Sequence, residues 1–258
     1  MTVEGTEREP RHGVSVIGVL GELLITAGVL VLLFLGWQLW WNDMILAASQ
    51  TAAAEQQSRE WRDDVETVPS EPAPSPVAPG EPEYFGEPVV AAEPGHLDVI
   101  ANLYVPRFGD DYVRTVAQGT STDVLNSTRL GLGHYDGTQM PGEVGNFAVA
   151  AHRSAYGGGL HLIDEFRLGD PIILETADGW YTYRFTNLEY VLPTAVGVID
   201  RVPQDSGAVP TDRLITLTSC NPLFSTKERI IAYGVFDSWR PLSAGPPAEL
   251  TYSAEEAD

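Results

Sequence analysis

The 258-residue sequence has a single cysteine, few basic residues and only one long apolar run. One cysteine excludes an internal disulfide framework, so the folded part must be stabilised by its own core. Lysine and arginine total 15 against 36 acidic residues, which gives a formal net charge of −21. Because binding to a phosphate backbone requires clustered basic residues, we expect no nucleic-acid partner. No histidine and cysteine cluster is present either, and we expect no metal or cofactor.

The apolar run extends from Val14 to Leu35, about 22 residues or roughly 33 Å as a helix, which matches the hydrocarbon thickness of a bilayer. Tryptophans follow it within 14–41, where their rings favour the headgroup layer. Arg8 and Arg11 precede the run, which predicts a single-pass anchor with a cytoplasmic N-terminus and the remainder outside the cell. A cleaved signal peptide is the alternative, although the run is longer than a usual signal core.

After the anchor, acidic and proline-rich segments flank a central region of more even composition. An acidic segment that becomes proline-rich follows the anchor and has few large apolar residues, which predicts a disordered tether. The last stretch, PLSAGPPAELTYSAEEAD, is again acidic and proline-rich. The predicted organisation is a cytoplasmic N-terminus at 1–13, the anchor at 14–41, the tether at 42–95, a catalytic domain at 96–240 and a disordered acidic tail at 241–258.

Residues 96–240 alternate short apolar stretches with Gly and Pro turn signals, which predicts an all-β barrel or sandwich. Seven stretches are strand candidates: LDVIANLYV, VRTVAQG, NFAVAAH, PIILET, WYTYRFTNLEYVL, RLITLTSC and RIIAYGVF. Short helices are predicted within Ser121–Thr128 and Leu160–Phe166.

The only cysteine, Cys220, ends the predicted strand RLITLTSC. Alternation places it on one face with Thr216 and Thr218, while Ile215 and Leu217 lie on the other. A lone cysteine is commonly a buried core residue, but this one is predicted to lie on the more polar face. Cys220 is therefore a candidate nucleophile.

A catalytic thiol requires a histidine or another cation nearby. His152 ends the predicted strand NFAVAAH as Cys220 ends its own, which makes it the best candidate; His134 is the second. Arg229 opens the strand that follows Cys220, and it would face the thiol across an antiparallel pair. A permanent cation there can stabilise the oxyanion formed when a thiolate attacks an amide. An ion pair of Arg229 with Glu228 or Asp237 is the simpler alternative.

TLTSC followed by Asn-Pro and then ERIIAYG resembles the sortase signature, and GHYDGTQMPGEVGNFAVAAHRSAYG resembles the histidine region of that family. The resemblance covers about residues 96–240 and is strongest to class E sortases of high-GC Gram-positive bacteria. It implies a closed barrel of about eight strands. It also implies Cys220 as the nucleophile that forms an acyl-thioester, His152 as acid and base, and Arg229 as the oxyanion stabiliser.

The implied activity is transpeptidation at a C-terminal sorting signal of the Leu-Ala-x-Thr-Gly or Leu-Pro-x-Thr-Gly type. The bond between Thr and Gly is cleaved, and the secreted protein is passed to an amine of a lipid-linked peptidoglycan precursor. A cell-wall cysteine peptidase or an L,D-transpeptidase is an alternative, although such enzymes arrange Cys and His differently along the chain. A second alternative is a non-enzymatic, membrane-tethered binding domain in which Cys220 is structural.

Overall fold

The structure is a computed structural model that describes residues 15–37, 41–67 and 84–250. It forms two units, Met1–Asn42 and Asp43–Asp258. In the first, helix α1 spans Val16–Gly36 and begins with Ser15 as its N-cap. Among the described helices, α1 is the one long and apolar enough to cross a membrane, and its side chains are exposed. Part of the predicted tryptophan belt, including Trp40, lies outside the described residues.

The second unit contains a closed barrel of eight strands, in the order β1-β2-β3-β4-β7-β8-β6-β5. The predicted all-β barrel is therefore confirmed. The β2–β3 and β4–β7 pairs are parallel, and the others are antiparallel. The strands are Val99–Tyr104 (β1), Val113–Gln118 (β2), Leu132–His134 (β3), Gly145–Ala151 (β4), Pro171–Glu175 (β5), Gly179–Val191 (β6), Arg213–Asn221 (β7) and Glu228–Pro241 (β8).

Alternate residues of β4 and β7 belong to the core that fills the barrel interior. Phe147 and Val149 of β4 and Ile215 and Leu217 of β7 are fully buried there. Residues between them point outward, as the period of two in a strand requires. This alternation determines which side chains reach the outer face of β4 and β7.

Short helices connect the strands. Helix α3 spans Thr122–Leu125, inside the segment predicted to be helical, and a 3-10 helix at Ile163–Glu165 lies inside the other predicted segment. Further 3-10 helices span Pro106–Phe108, Val196–Ile199 and Leu242–Ala244.

The predicted disordered tether at 42–95 is wrong for its first half. Residues Asn42–Thr67 form helix α2, which packs against the barrel. The alanine-rich sequence favours a helix, and small side chains allow close approach to the strands. Ser58 donates to the fully buried Glu175 at 2.7 Å, and the Asn102 amide donates to the carbonyl of Ala54 at 2.8 Å. Polar contacts thus replace the large apolar residues whose scarcity predicted disorder.

The proline-rich segment is also ordered from residue 84 onward, because barrel side chains hydrogen-bond to its backbone. Tyr181 donates to the carbonyl of Val89 at 2.7 Å, and Trp239 donates to that of Gly86 at 3.1 Å. The predicted disordered tail at 241–258 is wrong for its first residues, where Leu242–Ala244 form a 3-10 helix and Leu242 is buried. Residues 68–83 and 251–258 lie outside the described residues.

Candidate active site

Three adjacent strands bring His152, Cys220 and Arg229 together at one edge of the barrel. Strands β4 and β7 run parallel with Ala150 opposite Thr218, and two residues further along each chain are His152 and Cys220. Strands β7 and β8 are antiparallel, and Cys220 lies directly opposite Arg229. Neighbouring strands are about 4.8 Å apart, so the three residues form a row with the thiol in the centre.

Cys220 is a free, half-buried thiol on the outer face of β7. Its predicted companions on that face are polar: Thr218 shares a 2.9 Å hydrogen bond with the hydroxyl of Tyr135, and Thr216 donates to Asn146 at 2.7 Å. Ser219, on the opposite face, donates to the carbonyl of Ala151 at 2.8 Å and so ties the end of β7 to the end of β4. The predicted alternation is therefore confirmed.

His152 follows directly after β4 and is half-buried. Its Nε2 lies within hydrogen-bond distance of Oδ1 of Asn126, at 2.8 Å. The rings of His152 and Tyr156 lie 4.9 Å apart. Burial lowers the pKa of His152, with a smaller opposing effect from Asp43 of α2. The imidazole is therefore neutral over a wider range of pH than a solvated histidine.

Arg229 donates from one guanidinium nitrogen to the carbonyls of Thr226 at 3.1 Å and Glu228 at 3.0 Å. The two acids considered as its ion-pair partners are engaged elsewhere. Glu228 accepts from Asn221 at 2.8 Å, and Asp237 pairs with Arg184 at 2.9 Å. Within the described residues, no carboxylate forms an ion pair with Arg229, the residue opposite Cys220.

The other described histidines have structural surroundings. His134, the second candidate, is fully buried in the barrel, stacks on Phe147 at 4.8 Å and hydrogen-bonds to Gln118 at 2.8 Å. His161 bonds the carbonyl of Arg153 at 2.9 Å, and His96 contacts an acid on the surface. No group of three or more potential metal ligands occurs among the described residues.

Two residues that the sequence did not single out support the row. Asn126 contacts His152, and the buried Arg153 donates to Asn221 at 2.5 Å while pairing with Asp164 at 2.6 Å. Arg153 thus fixes the loop after β4 to the end of β7. The position of Arg153 directly after His152 could have indicated a role in the site. No local sequence pattern links Asn126 to a histidine 26 residues away.

The Sortase domain family model matches residues 103–237. Sortase SrtE2 of Streptomyces coelicolor is 32% identical over 95% of this chain and 92% of its own length. Sortase SrtE1 of the same organism is 34% identical over 94% of this chain but only 63% of its own length, so the match spans less than two thirds of that relative.

A solved structure with the same fold is described as the crystal structure of Sortase E1 from Streptomyces coelicolor with a tripeptide in the active site. It is 38% identical, covers 59% of this chain and 96% of its own, and superposes with a TM-score of 0.54. The family match covers more than half of the chain, and the relatives are class E sortases. This chain belongs to the sortase family, whose members are cysteine transpeptidases.

Proposed function

We propose that this chain is a cysteine transpeptidase that attaches secreted proteins to the cell wall. It cleaves a C-terminal sorting signal of the Leu-Ala-x-Thr-Gly or Leu-Pro-x-Thr-Gly type between Thr and Gly. The acyl group is held as a thioester on Cys220 and is then transferred to an amine of a lipid-linked peptidoglycan precursor. The observation that carries this proposal is the row of His152, Cys220 and Arg229 across three adjacent strands.

In the first half-reaction, neutral His152 accepts the proton of the Cys220 thiol, and the resulting thiolate attacks the carbonyl carbon of the signal threonine. The electron pair of the C=O bond moves to oxygen, and the resulting oxyanion is stabilised by Arg229, whose charge no described carboxylate neutralises. Collapse of the tetrahedral intermediate breaks the bond to glycine. The leaving amine takes a proton from the imidazolium of His152, and a thioester remains.

In the second half-reaction, the acceptor amine attacks the thioester carbonyl. The now neutral His152 removes the proton from the attacking amine, and the C–S bond breaks to return the Cys220 thiolate. A lowered pKa suits His152 to this step, because it keeps the imidazole unprotonated and able to accept a proton. The new amide joins the protein to the precursor.

A peptide substrate is supported by the relative whose structure holds a tripeptide in its active site. An extracellular site is supported by α1, which is long and apolar enough to anchor the chain, together with Arg8 and Arg11 before it. In that orientation the barrel is outside the cell, where secreted proteins meet lipid-linked precursors.

The proposal is tested by incubating the detergent-solubilised full chain with Leu-Ala-x-Thr-Gly and Leu-Pro-x-Thr-Gly peptides and an excess of a small amine. We expect cleavage between Thr and Gly with the amine joined to Thr, detected by mass spectrometry. A peptide with Thr and Gly exchanged is the control. Cleavage at another bond, or binding of both signals without turnover, would contradict the proposal.

A further inference from the structure

One side chain of helix α2, Gln50, reaches the loops that surround His152. Gln50 is fully buried, and its Nε2 donates to the backbone carbonyls of Ser127 at 2.9 Å and Tyr156 at 3.1 Å. Ser127 lies in the loop after α3, and Tyr156 lies in the loop after β4. A single amide therefore joins two loops that are distant in the sequence.

Each of these loops supplies a neighbour of the His152 ring. Asn126, directly before Ser127, contacts Nε2 of His152 at 2.8 Å. Tyr156 has its ring centroid 4.9 Å from that of the imidazole. The loops that Gln50 joins are thus the loops that contact the imidazole.

The Gln50 amide fits between the loops because both present a glycine to it. Gly131 and Gly157 have φ values of +112° and +86°, which side chains other than that of glycine rarely adopt. A Cβ at Gly131 would lie 2.6 Å from Nε2 of Gln50, and a Cβ at Gly157 would lie 2.6 Å from its Oε1. Backbone therefore lies directly against the amide and restricts its rotation.

Helix α2 is fixed to the barrel by other contacts. Arg114 of β2 donates to the hydroxyl of Thr51 at 2.6 Å, and further along the helix Ser58 is bonded to Glu175 of β5. These contacts hold α2 against β2 and β5 independently of Gln50. Gln50 transmits that position to the two loops.

We propose that Gln50 is a positioning residue for His152, which acts by holding the loops that carry Asn126 and Tyr156 against α2. This inference rests on the proposed function. Catalysis depends on the placement of the imidazole beside the thiol, and a misplacement of about 1 Å can cost about 100-fold in rate. The helix between the predicted membrane anchor and the barrel is then part of the active-site framework.

The test uses Gln50→Met in the full chain, because methionine has a similar length but donates no hydrogen bonds. We expect a fall in kcat of roughly 10- to 100-fold with little change in KM, since the loops contact the imidazole, which moves protons in the chemical step. Thr51→Val is the matched control: it removes one contact between the same helix and the barrel, leaves the contact of Ser58 with Glu175 in place and breaks no hydrogen bond to either loop. It is expected to keep near wild-type kcat.

Two further measurements separate positioning from general loss of stability. If Gln50 acts through Asn126, then Gln50→Met and Asn126→Ala combined should reduce kcat by less than the product of their separate effects. The pKa of His152, followed by NMR on histidine-labelled chain, should rise toward its ordinary value in Gln50→Met because looser loops admit water. It should not rise in Thr51→Val.

Equal kcat in Gln50→Met and wild type, or equal losses in Gln50→Met and Thr51→Val, would overturn the inference. If Gln50→Met does not fold, Gln50→Asn keeps an amide that is too short to reach both carbonyls, and the same outcomes apply. If the wild-type chain transfers no peptide, the proposed function fails on its own. The NMR comparison still decides the positioning role, which an unchanged His152 pKa in Gln50→Met would refute.

Discussion

Cys220 and Arg229 form a directly opposed pair in the antiparallel ladder of β7 and β8. The Cβ atoms of such pairs are about 5 Å apart, so the sheet places the Cβ of Arg229 next to that of Cys220. Contacts to the carbonyls of Thr226 and Glu228 occupy one guanidinium nitrogen. The arrangement supports a role for Arg229 in binding an oxyanion that forms next to the sulfur.

Arg229→Lys should lower kcat by about 10²–10³-fold, because lysine keeps the charge but lacks the planar fork of donors. The rate at which a small alkylating agent labels Cys220 should change little, because His152 is expected to dominate thiolate formation. Arg184→Lys is the matched control, since Arg184 pairs with Asp237 further along the same sheet. A parallel loss of alkylation rate and turnover in Arg229→Lys would assign Arg229 to thiol activation instead.

Ser58→Ala should reduce the free energy of unfolding by about 1.5–3 kcal/mol, the range for a hydrogen bond to a charged group. Ser58 donates to the fully buried Glu175 at 2.7 Å, so its removal leaves a buried carboxylate oxygen with one partner fewer. The measurement is urea unfolding of the full chain. Gln56→Ala is the control, because Gln56 is exposed and its amide donates to Glu60 of the same helix at 2.9 Å. Equal midpoints for the two variants would show that α2 does not stabilise the barrel.

Much of the barrel could be predicted from the sequence because its strands are short apolar stretches bounded by Gly and Pro turn signals. The seven strand candidates all correspond to strands. The parallel pairing of β4 with β7 aligns the ends of NFAVAAH and RLITLTSC, and the antiparallel pairing of β7 with β8 places Arg229 opposite Cys220. Strand β3 was not among the predicted strands. Leu132–His134 has only three residues, too few for a period of two to be recognised.

Helix α2 and the residues that support His152 could not be predicted in the same way. The helix contacts the barrel through polar groups such as Gln50 and Ser58, so its sequence lacks the apolar stripe that indicates a packed helix. Asn126 and His152 meet only because the closed barrel brings the end of α3 beside the end of β4. Such pairings depend on tertiary structure and leave no local signal.

The stability of the barrel should fall as the pH drops below about 6.5, the ordinary pKa of histidine. Burial lowers the pKa of His134 in the folded state, so the unfolded chain binds a proton more readily. This contribution to stability is complete above the unfolded pKa and is lost as the pH falls toward the folded one. In His134→Gln, the loss of unfolding free energy between about pH 7.5 and about pH 5 should be smaller than in wild type. An equal pH dependence would exclude His134 as its source.

Protease treatment of intact cells should degrade the barrel while leaving the N-terminal residues protected. This outcome follows from the predicted orientation, with Arg8 and Arg11 in the cytoplasm and α1 as the anchor. Immunoblotting against each end of the chain measures it, and permeabilised cells provide the control. Survival of the barrel in intact cells, or its release with a new N-terminus near Ala48, would contradict a single-pass anchor with an external barrel.

The covalent state of Cys220 after incubation with a Leu-Ala-x-Thr-Gly peptide tests the central claim most directly. Peptide mapping by mass spectrometry should find the acyl part of the signal, ending in Thr, attached to the fragment that contains Cys220. Added amine should remove this adduct and yield the transferred product. Cys220→Ala should give neither adduct nor product while its circular dichroism matches wild type, and His152→Ala should likewise give no product. Transfer by Cys220→Ala, or an adduct on another residue, would contradict the assignment of Cys220 as the nucleophile.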